Sequence, residues 1–323
     1  MTQLKVEQRD IDVDILLSTF NGANYLKEQL ESILSQTYPY WRLIIRDDGS
    51  TDDTLEIING FIEQERERVL LITDDFRRLG PSLSFSTLLS RANAPYVMLC
   101  DQDDVWLPDK IEISRAKMKN LEKENPEYPI LIHTDLQVVD AALNKINDSF
   151  WKFQNIDPRV SELGTLLVQN NVTGCTVMIN HQLKKLAYPI PRGAIMHDWW
   201  LALVASAFGH IEPVKSPSLK YRQHASNQVG ASAYGFKLFL GRIAAFKTLK
   251  RSVDDCRNQA GEFLDKFHDL LSKNQVCTLE AFQGLSRGSF VSKLYRINKY
   301  KLHKQGLIRR LAFVVVVALT YES

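Results

Sequence analysis

From residue 13 onward, short β-branched and aliphatic runs alternate with longer segments whose apolar residues recur every three or four positions. Val13 to Leu17 is such a run, followed by an Asn21-Gly22 turn and a helical pattern through Tyr25, Leu30, Ile33 and Leu34. The unit repeats as Trp41 to Arg46 then Thr51 to Ile62, Val69 to Thr73 then Leu83 to Ala92, and Tyr96 to Cys100 then Asp109 to Leu121. Strands alternating with amphipathic helices predict right-handed βαβ crossovers: an α/β fold with a mostly parallel sheet and helices on both faces.

Past Pro126 the pattern loosens. Ile130 to Ile132, Leu136 to Val139 and Val177 to Ile179 are short strand candidates among Gly, Asn and Pro turns, a mixed α+β stretch. After Tyr221 to Gly230, the segments Phe236 to Leu271 and Phe290 to Val317 carry Lys, Arg, Leu, Phe and Ala with few turn signals. The chain thus divides into an α/β body over 1–230, itself changing character near 125, and a helical C-terminal extension over 231–323.

Composition narrows the function classes. With 45% hydrophobic and 24% charged residues the chain is built to bury a core, and a net charge of +2 over 323 residues gives no reason to expect a nucleic acid partner. Cys100, Cys175, Cys256 and Cys277 form no C-x-x-C pair, which argues against a zinc site and a secreted disulfide framework. Met1 to Asp14 holds no apolar stretch of signal-peptide length, and the longest apolar run, Leu311 to Leu319, falls short of the roughly 20 residues that span a bilayer. A cytoplasmic protein is expected.

Ligands of open α/β sheets bind beyond the carboxyl ends of the strands, and the polar clusters fall there. Ser18 to Gly22 follows the first strand, Asp47-Asp48-Gly49-Ser50 the second and Asp101-Gln102-Asp103-Asp104 the fourth. Carboxylates crowded at the end of a buried strand repel one another unless a hard cation sits among them. Mg²⁺ or Mn²⁺ prefers oxygen ligands and completes its shell with water and substrate phosphates. The alternative is acidic capping of the helix that starts near Pro108. Asp52 and Asp53 suit a helix N-terminus, whereas Asp47 and Asp48 precede the cap, where a carboxylate can accept the imide N–H of uracil or thymine or serve turn chemistry. In His197-Asp198-Trp199-Trp200, large aromatics flank an acid at a helix start, so desolvation raises its pKa toward the range of a base; the competing reading is a helix cap with both tryptophans in the core.

Taken in order, Leu17-Ser18-Thr19-Phe20-Asn21-Gly22, Asp47-Asp48-Gly49-Ser50-Thr51-Asp52, Asp101-Gln102-Asp103-Asp104-Val105-Trp106, Thr173-Gly174-Cys175, His197-Asp198-Trp199-Trp200 and Tyr221-Arg222-Gln223-His224 resemble the family 2 inverting glycosyltransferases of GT-A, Rossmann-like fold. The Asp-Gln-Asp-Asp-Val-Trp and His-Asp-Trp-Trp blocks are most similar to the bacterial rhamnosyltransferase-like branch, which builds surface polysaccharides. The resemblance covers roughly residues 10–230, implying a donor-binding half over about 1–125 and an acceptor half over about 126–230. It implies a dTDP- or UDP-sugar donor, with dTDP-L-rhamnose foremost, and a glycan or lipid-linked glycan acceptor. Ser18, Phe20, Asn21 and Asp48 would hold the nucleotide, with Asp101 at the ribose or behind the metal. Asp103, with His224, would ligate Mg²⁺ or Mn²⁺; Asp198 would be the base, and Trp199 and Trp200 would wall the acceptor site. Relatives carry Asn-Leu-Gly where this chain has Arg78-Leu79-Gly80, so Arg77 or Arg78 would meet phosphate.

Two rivals stand beside the transferase: an inactive nucleotide-sugar or glycan-binding scaffold, and a nucleotidyltransferase, whose Gly-rich basic triphosphate loop Ser18 to Gly22 does not supply. Separately, Ala281 to Tyr321 contains no Asp or Glu but many Lys and Arg. Such a segment suits peripheral association with an anionic membrane surface, or packs on the α/β body or on a second copy of the chain as a homo-oligomer.

Overall fold

A nine-stranded sheet organises the protein, seen here in a computed structural model that describes residues 11–224 and 242–320. The first part runs β1 (Val13–Thr19), α1 (Ala23–Leu34), β2 (Trp41–Asp47), α2 (Thr54–Gln64), β3 (Val69–Ile72), α3 (Gly80–Arg91), β4 (Tyr96–Cys100), β5 (Val105–Trp106) and α4 (Lys110–Glu124). It continues through β6 (Ile130–Val139), β7 (Lys145–Asn147), α5 (Phe150–Gln154), α6 (Leu163–Val168), β8 (Val177–Asn180), α7 (His181–Ala187), α8 (His197–Phe208) and β9 (His210–Arg222). Four helices close the chain: α9 (Arg242–Phe267), α10 (Lys273–Gln283), α11 (Phe290–Lys299) and α12 (Leu307–Leu319).

The strand order is β3-β2-β1-β4-β8-β6-β9-β5, with β7 on β6. β3, β2, β1 and β4 pair in parallel, as the regular alternation predicts. Beyond β4 the sheet is mixed: β8 runs antiparallel to β4 and β6, β6 and β9 are parallel, and β5 and β7 pair antiparallel to β9 and β6. Parallel order therefore ends where the sequence alternation ends. Two expected strands, Ile130 to Ile132 and Leu136 to Val139, are one strand, β6. The polar His133-Thr134-Asp135 run that splits them in sequence is buried, and the register against β9 shifts there. Asp135 turns that break to use, accepting bonds from Ser149 Oγ and the backbone N–H groups of Phe150 and Trp151 that open α5.

Each central strand is buried on both faces because its odd and even positions enter different cores. Ile15 and Leu17 pack with Leu26, Leu30 and Ile33 of α1, whereas Leu16 packs with Phe85 and Leu88 of α3. The second core also takes α8 and the C-terminal helices, with Trp200 of α8 against Phe263 and Phe267 of α9. The boundary expected at 230 and the helix start at Phe236 lie outside the described residues. The helical segment expected over Phe290 to Val317 is two helices: α11 ends at Lys299, Lys301 takes φ +53, and Gly306 takes φ +80 before α12.

Candidate active site

A cleft of about 1120 Å³ opens at the carboxyl ends of β1, β2 and β4, opposite the N-terminus of α8. Ser18, Phe20, Asn21, Asp48, Asp101, Asp103, Asp198, Trp199 and His224 all line it. Residues up to 206 positions apart (18 to 224) are thus gathered by the sheet onto one surface.

On the β1 side, Asn21 takes φ +48 and its Oδ1 accepts the Thr51 N–H at 2.8 Å, tying the loop after β1 to the loop after β2. Gln102 clamps Phe20 from the acidic loop, accepting its N–H at 2.8 Å and donating to its carbonyl at 3.0 Å. Ser18 Oγ donates to Ser84 Oγ at 2.8 Å, while the Phe20 ring is 40% exposed and free to meet a planar base. Asp47 is consumed by its own turn, accepting from Gly49, Ser50 and Thr19. Asp48 is buried and accepts from Arg46 Nη1 (2.8 Å), Leu79 N–H (2.9 Å) and Gly80 N–H (2.8 Å). Of the two arginines, Arg78 lines the cleft with φ +57, and its N–H donates to the Asp48 carbonyl at 2.9 Å; Arg77 packs against Gly49.

The acidic loop after β4 is fastened from behind by β9. Arg222 donates its N–H to Asp104 Oδ1 (3.3 Å) and its Nε–H to the Asp103 carbonyl (2.9 Å), and pairs with Glu28 of α1. Two residues on, His224 Nε2 lies 2.8 Å from Asp103 Oδ2, with the Tyr25 ring tilted against the imidazole at 4.6 Å between centroids. Burial, then the charges of Asp103 and Asp198, push the Asp101 carboxyl up to about 7. Repulsion of that kind is what a bound divalent cation relieves.

Behind the loop, Asp101, Asp104 and Cys175 offer atoms within 4.8 Å of one another. That trio fits Mg²⁺ or Mn²⁺ poorly: a thiol is a soft ligand, and Lys110 Nζ stands alongside, donating to the Cys175 carbonyl at 2.8 Å. Asp101, Asp103 and His224, which line the cleft, offer carboxylate and imidazole donors without a thiol.

Across the cleft, Asp198 begins α8. Burial pushes its carboxyl up to about 6, against the bonds it accepts from the Trp199 and Gly174 N–H groups and the Asn170 side chain. Gly174 packs closely here: a Cβ would stand 3.1 Å from His197 Nε2 and 3.5 Å from Asp198 Oδ2. His197 is buried and stacked on Phe85 with ring centroids 3.9 Å apart; burial pulls its pKa down to about 3, so it adds no charge beside Asp198.

One expectation fails. Trp200 does not wall the cleft: it is fully buried, donates Nε1–H to the Ala187 carbonyl at 3.1 Å and packs against α9. Adjacent helical positions point about 100° apart, so only one of the pair faces the cleft. Trp199 does, its Nε1–H donating to the Leu166 carbonyl at 2.6 Å. Sequence reasoning also missed Arg46, buried within β2, which bonds Asp48, Asp74, Ser84 and the Phe76 carbonyl and so fixes the loop that carries Arg78. An arginine directly after the aliphatic Leu43-Ile44-Ile45 run of β2 was the available signal.

The glycosyl transferase family 2 profile matches residues 14–128, from β1 to just past α4. Those residues form a glycosyltransferase family 2 domain. The chain is 29% identical over 178 residues to an uncharacterized glycosyltransferase of Haemophilus influenzae, covering 55% of this chain and 66% of that one. It is 26% identical to the dTDP-rhamnosyl transferase RfbG of Shigella flexneri, over 67% of this chain and 74% of the relative. Other curated relatives align over less of their length, 39% and 51% for two Bacillus subtilis proteins. The fold is GT-A: the mannosyltransferase PcManGT of Pyrobaculum calidifontis, solved with GDP-Man and Mn²⁺, superposes with a TM-score of 0.53 at 16% identity, covering 95% of this chain and 86% of that one.

Proposed function

We propose that this chain transfers a sugar from a nucleoside diphosphate to a hydroxyl of a polysaccharide precursor, with Asp198 as the base. The observation that carries the reading is the meeting of Asp101, Asp103 and His224 on one wall of the cleft with a desolvated acid, Asp198, among the other lining residues. In this reading Ser18, Phe20, Asn21 and Asp48 hold the nucleotide, and Arg78 lies on the phosphate path. Asp103 and His224 hold Mg²⁺ or Mn²⁺, backed by Asp101, and the cation, when bound, takes up charge developing on the departing diphosphate.

Asp198 accepts the proton of the acceptor hydroxyl as that oxygen attacks the anomeric carbon from the face opposite the diphosphate. The sugar–phosphate bond breaks in the same displacement, so configuration inverts and no covalent enzyme intermediate forms. Held near 6, the carboxyl is ionised at neutral pH yet more basic than an exposed aspartate. Trp199 gives the acceptor sugar an apolar wall. The similarity to RfbG, named a dTDP-rhamnosyl transferase, supports dTDP-L-rhamnose as the first donor to try.

A thermal-shift panel of dTDP- and UDP-sugars, each with Mn²⁺, Mg²⁺ or EDTA, tests the reading, because a ligand of the native state raises Tm by mass action. A metal-dependent rise with at least one donor, together with release of nucleoside diphosphate, is expected. A donor that binds but is never consumed would point to the scaffold, and no shift with any donor would overturn the proposal.

A further inference from the structure

The last helix, α12, is apolar nearly all round, with Arg309 and Arg310 its only charged residues. Its inner face belongs to the core: Phe313, Val316 and Val317 are buried, and Lys293 of α11 donates to the Val317 and Thr320 carbonyls at its end. The opposite face carries Leu307, Ile308, Leu311, Val315 and Leu319, which fall on one stripe at 3.6 residues per turn and are all exposed, Leu307 at 71% and Leu319 at 67%. A surface helix ordinarily turns polar residues outward; this one does not. The neighbouring α11 likewise exposes Val291 and Tyr295.

The segment carrying this face holds charge of one sign, with Lys301 within it paired to Glu162 of the α/β body. From Ala281 to Tyr321 there is no Asp or Glu. Some of the basic residues serve the fold: Lys293 is buried, Arg296 donates to the Gly284 carbonyl, and Arg309 donates to the Gln154 carbonyl. Arg287, Lys299 and Arg310 remain exposed. We propose that the outer face of α12 docks on an anionic lipid bilayer, its leucines and valine entering the interface while these cations meet lipid phosphates. A partner protein would equally cover apolar side chains, but exposed Arg287, Lys299 and Arg310 on an acid-free segment match the charge of an anionic membrane surface.

The placement adds a consequence. The segment entering α12 is part of the cleft wall: Lys304 lines the cleft, and Gln305 N–H and Arg309 bond Gln169 and Gln154, which also line it. A docked α12 holds the cleft beside the bilayer, where a lipid-linked glycan would present its sugar.

The test uses the full chain and vesicle co-sedimentation. Point substitutions are preferable to a chain ending near Ser289, because Ile297, Phe313 and Val317 are core residues. Expected is binding to phosphatidylcholine vesicles containing phosphatidylglycerol, little binding to phosphatidylcholine alone, weakening with salt, and a loss of ~10-fold or more in L311E/V315E at unchanged Tm. Should that variant lose stability, K299E/R310E supplies the same readout from the charge side. Equal binding to neutral and anionic vesicles, or no binding, overturns the proposal. So does a dimer in gel filtration that L311E/V315E dissociates while wild type ignores vesicles, which would make a second copy the occupant. No sugar enters the assay, so its outcome is separate from that of the transfer reading.

Discussion

At Asp198 reactivity and stability pull in opposite directions. Burial holds its carboxyl at about 6 instead of 3.8, so the folded state binds a proton more readily than the unfolded chain between those values. The stability this one group contributes is therefore fully present below pH 4 and is lost as pH rises through 6, by about 3 kcal/mol at most. Asp198→Asn keeps an oxygen for the Trp199 N–H and removes that cost. The variant should melt several degrees above wild type at pH 7 and lose the difference near pH 4, while turnover drops by about 10²–10⁴. Differential scanning calorimetry at the two pH values checks the first part; a lower melting point at pH 7 contradicts it. Wild-type kcat should fall on the acid side with a midpoint near 6. Asp198 was singled out in sequence through the resemblance of the ordered motifs, since an acid at a helix start beside two tryptophans reads by itself as a cap. Trp200 was not, because the choice between core and cleft is one of helix rotation, which spacing alone leaves open. Nor was Arg46: its partners Asp74, Ser84 and Phe76 come from loops whose approach only the folded sheet defines.

Between elements, a close fit occurs where α6 meets the end of α11. A Cβ on Gly164 would stand 1.9 Å from the Tyr300 carbonyl oxygen, and Thr165 Oγ donates to the Lys301 carbonyl at 3.1 Å. Gly164→Ala must push the two apart, at a cost on the order of 1–3 kcal/mol. A lower Tm and faster proteolysis of the C-terminal helices are expected, together with a higher acceptor KM, since the cleft wall at Val168 to Gly174 follows directly from α6. An unchanged Tm would contradict this packing. The parallel strands β1 to β4 were readable from alternation, because each is a short aliphatic run bounded by turn residues, and β1, β2 and β4 are buried on both faces. β9 escaped: Pro213, Pro217, Lys215 and Lys220 interrupt its apolar run, and it is a strand because β6 offers it a partner along its whole length. Yet β9 delivers Arg222 to the acidic loop and leads to His224, so the motif at its end was found before the strand that carries it.

Across the whole molecule, the sheet edge gathers groups that no single segment holds, and the C-terminal helices complete the core on the α3 and α8 face. Asp103→Ala should abolish the metal-dependent part of the donor thermal shift while leaving the fold intact, because its side chain pairs with His224 at the cleft and not with the core. A full metal-dependent shift in this variant would move the cation elsewhere. The most direct test of the central claim pairs two readings on the donor that binds best in Mn²⁺: affinity by calorimetric titration, and release of nucleoside diphosphate, for wild type and Asp198→Asn. The account predicts equal affinity and a turnover lower by about 10²–10⁴ in the variant; wild-type turnover in Asp198→Asn would contradict it.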